Sequence, residues 1–224
     1  MRRDLIIAFR SMLELTVIFG LGYPLLVTGV GQLAFPGKAN GSLIHRDGAV
    51  VGSALIGQQF YENVIKDGKV ETKDGAPVTV PDPAYFQTRP SGTEPADNAA
   101  GSSFANYGPN SILTDQALEA NIATYLALNI GPSGRRYDPA LHGAAQVPVD
   151  AADTSASGID PDISVANARI QAYRVVAVRG IALSTVDQLV ARYTTSRSLG
   201  FLGEPGVDVL ELNLALDRIS HRSH

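Results

Sequence analysis

The sequence has 224 residues, no cysteine and a formal net charge of −4. Without cysteine neither a disulfide framework nor a thiolate-ligated metal site can form, so stability must come from a hydrophobic core or from partners. Setting aside the basic N-terminus leaves 15 Lys and Arg against 20 Asp and Glu, a balance that excludes an electrostatic grip on nucleic acid.

Residues 15–35 carry no charged side chain, and they follow Arg2, Arg3 and Arg10. As a helix this stretch is roughly 32 Å long, enough to cross a bilayer core of about 30 Å. Arginines flanking a span stay on the cytoplasmic side. The pattern predicts a cytoplasmic N-terminus over 1–14, a transmembrane helix over 15–35 and one extracytoplasmic domain over 36–224. Two other readings fit less well. A cleaved signal peptide has a shorter apolar run ending in a small-x-small site, whereas Gly37-Lys38-Ala39 carries a lysine beside Pro36. A buried helix of a soluble domain seldom goes this long without a charge. Pro24 predicts a kink, and Gly22 and Gly29 are the positions where a second membrane helix can pack closely. Gly20-Leu21-Gly22-Tyr23 has a distant likeness to a potassium filter, but one span cannot surround a pore.

From 40 to 109 the chain is rich in Gly, Ser, Pro, Asn and Asp, which predicts strands and turns rather than long helices. Asp67-Gly68 and Asp74-Gly75 are turn signals, and residues 78–80 before Pro81 suit a strand of an inserted hairpin. The period then changes. Leu113, Leu118, Ile122, Tyr125 and Leu126 predict a helix over 115–128 capped by Thr114 or Ser111, and Gly131-Pro132 stops it. Ser164 and Gly180 bracket a second helix over 166–179, with Ile170, Tyr173 and Val176 or Ala177 on its apolar face. Ser184-Thr185-Val186-Asp187 resembles a capping box for a third, whose apolar face is Leu189, Val190 and Tyr193. Leu210, Leu212, Leu214 and Leu216 alternate with Glu211, Asn213, Ala215 and Asp217, the period of a half-buried strand, with a terminal helix as the alternative. The fold class expected is α/β, or α+β, behind one N-terminal membrane helix.

Motifs for chemistry are scarce. No P-loop is present, because Gly37-Lys38 and Gly68-Lys69 lack both the preceding glycine and the following hydroxyl. Ser157 has no nucleophile elbow around it, and the hydroxyls of 154–158 read as turn formers and caps before Asp160-Pro161. His45 and His142 are isolated, and His221 and His224 sit in a tail, so no metal site is expected. Arg89, within Tyr85-Phe86-Gln87-Thr88-Arg89-Pro90-Ser91, is the only cation among aromatic and hydroxyl groups. It suits a bridge to carboxylates or carbonyls of the fold, or an interface anchor, and Asp160 is grouped with it as structural.

Several motifs carry a family likeness together. They are Gly52-Ser53-Ala54-Leu55-Ile56-Gly57-Gln58-Gln59-Phe60, the Tyr85 to Ser91 cluster, Val147-Pro148-Val149-Asp150, Thr154-Ser155-Ala156-Ser157-Gly158-Ile159-Asp160-Pro161 and Leu199-Gly200-Phe201-Leu202-Gly203-Glu204-Pro205. In this order behind one span, the chain resembles the KdpC family, the C subunit of the bacterial high-affinity potassium-transporting P-type ATPase. The resemblance implies a non-catalytic accessory subunit in the bacterial inner membrane, with the Kdp A, B and F subunits as partners, lipid around one helix and no nucleic acid. ATP hydrolysis then belongs to the B subunit and potassium entry to the A subunit; no cofactor is expected on this chain, and ATP and potassium are handled by the complex. A catalytic-chaperone role, raising the ATP affinity of the B subunit, has been proposed in the family, and it points to Ser155, Ser157 and Gly158 as nucleotide contacts. That proposal conflicts with the topology, since ATP lies inside and the arginines hold the domain outside. The chain departs from the family pattern at Asp162, where a histidine is expected, and at Asp153. Asp150, Asp153, Asp160 and Asp162 form an acidic stretch suited to attracting cations only at short range. The competing class is an independent membrane-anchored extracytoplasmic hydrolase using Ser157, His142 and an aspartate.

Overall fold

The computed structural model describes residues 2–93, 101, 106–108, 110–138 and 147–220. It divides into two compact units, Met1–Ser53 and Ala54–His224. His142, His221 and His224 lie outside the described residues.

In the first unit, one helix runs over Arg2–Ala34 with none of its apolar window buried. It comprises α1 (Arg2–Leu15), a π-helical segment (Thr16–Gly22) and α2 (Tyr23–Ala34). Helix therefore begins well before the charge-free stretch and includes Arg10 and Glu14, an exposed i,i+4 pair 3.7 Å apart. The irregularity expected at Pro24 takes the form of the widened turn just before it, with the Tyr23 N–H donating to Ile18 O. Proline lacks the N–H of a regular turn and its ring crowds the carbonyl four residues back, so a wider turn relieves both. At the far end, a short helix α3 (Pro36–Ala39) follows, and the Asn40 side chain donates to Pro36 O at 2.7 Å and to Gln32 at 3.1 Å. Strands β1 (Leu43–Arg46) and β2 (Ala49–Ser53) form an antiparallel hairpin. The sequence boundary expected at 35/36 thus differs from the division at 53/54, which groups this hairpin with the helix.

The second unit opens with a ribbon of nested hairpins. Strand β3 (Tyr61–Asn63) pairs with β8 (Thr79–Pro81), and between them lie β4 (Ile65–Lys66) with β5 (Lys69–Val70) and β6 (Thr72–Lys73) with β7 (Ala76–Pro77). Asp67-Gly68 and Asp74-Gly75 make the two tight turns, and all four residues have positive φ. That conformation matches the twist of the flanking strands and is one that Asp and Gly tolerate.

Helices α4 (Ile112–Leu128), α5 (Val149–Ala152), α6 (Val165–Arg179), α7 (Leu183–Arg192) and α8 (Val209–Ser220) supply the rest, with a small antiparallel sheet in the order β10 (Thr194–Thr195), β11 (Gly206–Asp208), β9 (Asp162–Ser164). Ser111 caps α4, Ser164 caps α6 by accepting from Asn167 N at 3.1 Å, and Gly180 ends α6 in the left-handed conformation. The core joins Phe86 to Ile163, Ala168, Ala172, Val175, Val186, Val190, Val207, Val209, Leu212 and Leu216. A second cluster holds Tyr125, Tyr137, Ala151 and Ile170.

Three sequence expectations are corrected. The third helix starts at Leu183 with Ala182 as its cap and no side-chain cap bond, so the Ser184 box does not form. The leucine-rich C-terminal stretch is helix α8, not a strand. It starts on Asp208, whose carboxylate accepts from Glu211 N at 2.7 Å, an Asp-x-x-Glu start that outweighs the alternation because this element is buried on nearly every side. On α6, Ile170 is buried and Val176 packs against the core as expected, but Tyr173 is only half-buried and Ala177 exposed, while Asn167, Gln171 and Arg174 are buried as well.

Candidate functional site

Residues 82–88 form no regular element, yet Asp82, Ala84, Tyr85, Phe86, Gln87 and Thr88 are all buried. Buried backbone must find a partner for each N–H and C=O, and side chains of α6 and α8 provide them for this strap. Asn213 accepts from Phe86 N at 2.9 Å and donates to Phe86 O at 2.8 Å. Gln171 does the same for Gln87, at 2.8 and 3.0 Å. Each amide thereby reproduces the two-bond pattern of a neighbouring strand. Arg174 donates to Pro83 O at 2.7 Å, Tyr85 O at 2.8 Å, Gln171 Oε1 at 2.8 Å and Asn129 Oδ1 at 3.0 Å. Arg179 holds Ala84 O at 2.6 Å and pairs with Asp217 at 3.1 Å, both side chains fully enclosed. The guanidinium of Arg179 lies 4.3 Å over the Tyr85 ring, which also stacks on Phe60, and the Tyr85 hydroxyl donates to Asp217 at 2.8 Å.

Electrostatics follow from burial. Desolvation, and then the Asp217 carboxylate, push the Tyr85 hydroxyl up to about 12. Burial lowers Arg174 to about 10, so it stays charged at neutral pH. A buried cation is tolerable only when its donors are satisfied, which the carbonyls of the strap accomplish.

Beyond Thr88 the strap reaches a second loop, residues 153–160. Arg89 meets Asp160 Oδ2 at 3.3 Å, Thr154 O at 3.1 Å and Asp153 O at 3.3 Å. Ser91 Oγ and Gly92 N both donate to Gly158 O at 3.0 Å. From the other side Gly57 N donates to Ile159 O at 2.8 Å, and a Cβ at Gly57 would stand 2.6 Å from Asp160 O. Only glycine permits that approach. Inside the loop Ser155 Oγ accepts from Gly158 N at 2.9 Å and lies 3.0 Å from Ser157 Oγ, which accepts from Ile159 N at 3.3 Å. Ser155 and Gly158 are buried, Ser157 is exposed and Gly158 has positive φ. Asp150, on α5, accepts from Ser164 N at 2.7 Å and Asn167 Nδ2 at 3.0 Å, joining α5 to the start of α6.

A cleft of about 530 Å³ beside this loop is lined by Ser91, Tyr107, Thr114, Asn121, Asp153 and Ser155 among others, with no lysine or arginine among the described residues. A triphosphate needs cationic partners or outward-facing N–H groups. Here the Ser155 and Ser157 hydroxyls and the Gly158 N–H bond within the loop, Arg89 is engaged, and Asp153 adds negative charge. The residues present do not fit ATP. Nor does any group of three or more His, Asp or Glu converge for a metal among the described residues.

On the sheet, the register sets Asp162 opposite Asp208, and both line an acidic hollow with Glu211 and Arg192. Burial raises Asp208 to about 6, with Glu211 and Asp162 adding to the rise. Asp162 is raised by burial and then by Asp160. In the first unit Gly22 closes the π segment and Gly29 lies on α2; a side chain at Gly29 would meet nothing within 4 Å.

Sequence reasoning missed the polar side chains that hold the strap. Their signal was present: Asn167, Gln171 and Arg174 recur at helical spacing, as do Asn213 and Asp217, but such a stripe looks the same as a solvated face until a buried backbone is found against it.

A family model described as the K+-transporting ATPase, c chain, matches residues 5–218. The chain belongs to the KdpC family. Curated relatives named potassium-transporting ATPase KdpC subunit include one from Mycobacterium tuberculosis, 44% identical over 98% of this chain and 100% of its own length. Another, from Methylococcus capsulatus, is 46% identical over 95% of this chain and 96% of its own; one from Herpetosiphon aurantiacus is 42% identical over 95% and 94%. The match covers both units, so the strap, the serine loop and the apolar helix all fall within the family's extent.

Proposed function

We propose that this chain is the accessory, non-catalytic subunit of an ATP-driven potassium uptake complex, anchored in the bacterial inner membrane by its N-terminal helix, with the Kdp A, B and F subunits as partners. Full-length similarity to KdpC subunits carries this reading. The 33-residue helix and its apolar surface support anchoring. Arg2, Arg3 and Arg10 support an inside N-terminus and an outside domain. Gly22 and Gly29 serve close packing of that helix against a partner's, where lipid offers little competing drive.

We assign the serine loop a structural role rather than the chaperone role of an ATP contact. The Ser155 and Ser157 hydroxyls and Gly158 N–H are bonded within the loop, and among the described residues no cation lines the cleft beside it. An independent hydrolase is disfavoured by the same bonds, which leave Ser157 linked to Ser155 and Ile159 N. Changing Ser155→Ala together with Ser157→Ala tests the assignment. Less assembled complex is expected, with unchanged dependence of ATPase rate on ATP concentration in matched amounts of what remains. A several-fold rise in the ATP requirement at normal complex yield would contradict it.

A further inference from the structure

The irregular stretch of the long helix leaves backbone groups that the helix itself cannot satisfy. In a π-helical segment backbone N–H groups reach carbonyls five residues back, and the last of these bonds is Tyr23 N–H to Ile18 O. Helix α2 begins at Tyr23 with Gly22 as its N-cap, so the Gly22 carbonyl takes the first regular bond, from Leu26 N–H. Between these two bonds lie the carbonyls of Phe19, Gly20 and Leu21, and the only residues left to serve them are Pro24, which has no N–H, and Leu25. At least two of the three carbonyls therefore accept no bond from the helix ladder. The Thr16 hydroxyl donates upstream, to Met12 O at 2.7 Å, and it is the Thr16 methyl that a Cβ at Gly20 would meet, at 3.7 Å. Gly20 and Gly22 add no side chain to brace the gap, and the whole segment is exposed. The far end of the helix is built the opposite way. Over residues 31–42 backbone bonds run from Phe35 N to Gly31 O at 2.8 Å, Ala39 N to Phe35 O at 2.9 Å, Asn40 N to Pro36 O at 3.1 Å and Ser42 N to Gly37 O at 2.9 Å. The side-chain amides of Gln32 and Asn40 exchange bonds at 3.2 and 3.1 Å, and Ser53 Oγ, at the end of β2, donates to Gly41 O at 2.6 Å. The corner between α2 and the β1–β2 hairpin is thus closed by backbone and side chains together.

We propose that the membrane helix carries a hinge at residues 19–21, about which residues 2–18 swing as one arm while α2, α3 and the β1–β2 hairpin move as one body, an inference that rests on the anchoring proposed above. Elsewhere in a membrane span bending breaks backbone bonds, and every polar group freed in hydrocarbon is costly. At residues 19–21 the bonds are already missing, so bending there breaks none, and a proline beside glycines is where sharp kinks arise. The 33-residue helix is about 50 Å long against a bilayer core of about 30 Å. Its arm, with Arg2, Arg3 and Arg10, therefore extends among lipid headgroups, and the hinge frees that arm to follow the membrane surface without turning the hairpin.

The chain has no cysteine, so pairs of spin labels can be placed on the full chain in lipid vesicles. Ile7→Cys with Leu26→Cys spans the hinge, and Leu26→Cys with Val50→Cys lies within the body, all at exposed positions. The distance distribution across the hinge is expected to be about twofold wider than that within the body. Pro24→Ala, which restores an N–H to the gap, is expected to narrow the first distribution and leave the second unchanged. Flotation of the labelled chain with the vesicles reads anchoring by itself. A chain that floats but shows equal widths, or a cross-hinge width that Pro24→Ala does not narrow, overturns the hinge and leaves the anchoring intact; a chain that does not float overturns both.

Discussion

Arg174 is the most heavily hydrogen-bonded side chain of the strap's support in the second unit. It ties α6 to the carbonyls of the strap and to Asn129, and its removal leaves several buried acceptors without donors. Breaking such an arrangement costs about 3–5 kcal/mol. Arg174→Met is therefore expected to lower the Tm of the full chain in detergent by at least several degrees, whereas Tyr173→Ala, half-buried on the same helix, lowers it far less. Equal losses would show that the strap does not depend on its cation. Asp208 offers a second residue-level test, because its folded pKa of about 6 stands above the ordinary value of 3.8. A raised carboxyl pKa means that the folded state binds the proton more tightly, so this group's contribution to stability falls as pH rises from about 4 through about 6. Asp208→Asn keeps the cap on Glu211 N, since Asn caps as well as Asp. The variant is expected to match the parent at pH 4 and exceed it in Tm at pH 7.5; a lower Tm at pH 7.5 would mean that the charge itself is needed.

At the scale of elements, the strap and the serine loop are held by close approach as much as by hydrogen bonds. Gly57 lets its backbone meet Ile159 and Asp160, and an added methyl would collide with a carbonyl oxygen. Backbone cannot step aside as a flexible side chain can, so Gly57→Ala is expected to cost more than the roughly 1 kcal/mol of a typical substitution. It should also speed hydrogen exchange at Ile159 and Gly158 more than at core positions of α6; uniform exchange across the unit would deny the local clamp. How much of this could be read in the sequence depended on whether the cue was local. Ser164, Gly180 and the two Asp-Gly turns of the ribbon speak through their own backbone, and each appears where the sequence placed it. For α8 the strand period of the leucines pointed the wrong way and the helical alternative holds, because burial on nearly all sides gives a leucine run no decisive period. The inward face of α6 was misread because its buried residues are polar, a choice that makes sense only once an irregular segment needs partners. Arg89 and Asp160 stood out early, but the contact of Gly57 with that same loop spans about a hundred residues of sequence and left no local sign.

For the whole molecule, an exposed apolar helix precedes a second unit held by a dense set of buried polar bonds, consistent with a subunit that positions others. Orientation is one consequence. A reporter active only outside the cytoplasm, fused after Asp217, is expected to be active, and reversing the arginine bias by changing Arg2, Arg3 and Arg10 to Glu should reduce that activity. Glycine packing is another: Gly22→Leu with Gly29→Leu is expected to leave insertion intact while weakening recovery of the partner subunits. Membership in a larger assembly is the claim on which the rest depends. A blue-native gel of gently solubilised membranes, probed for this chain, tests it most directly. The chain is predicted to migrate with a band far heavier than itself that contains the ATP-hydrolysing and potassium-conducting subunits, and migration alone or only with copies of itself, from membranes where those subunits are intact, would contradict the account.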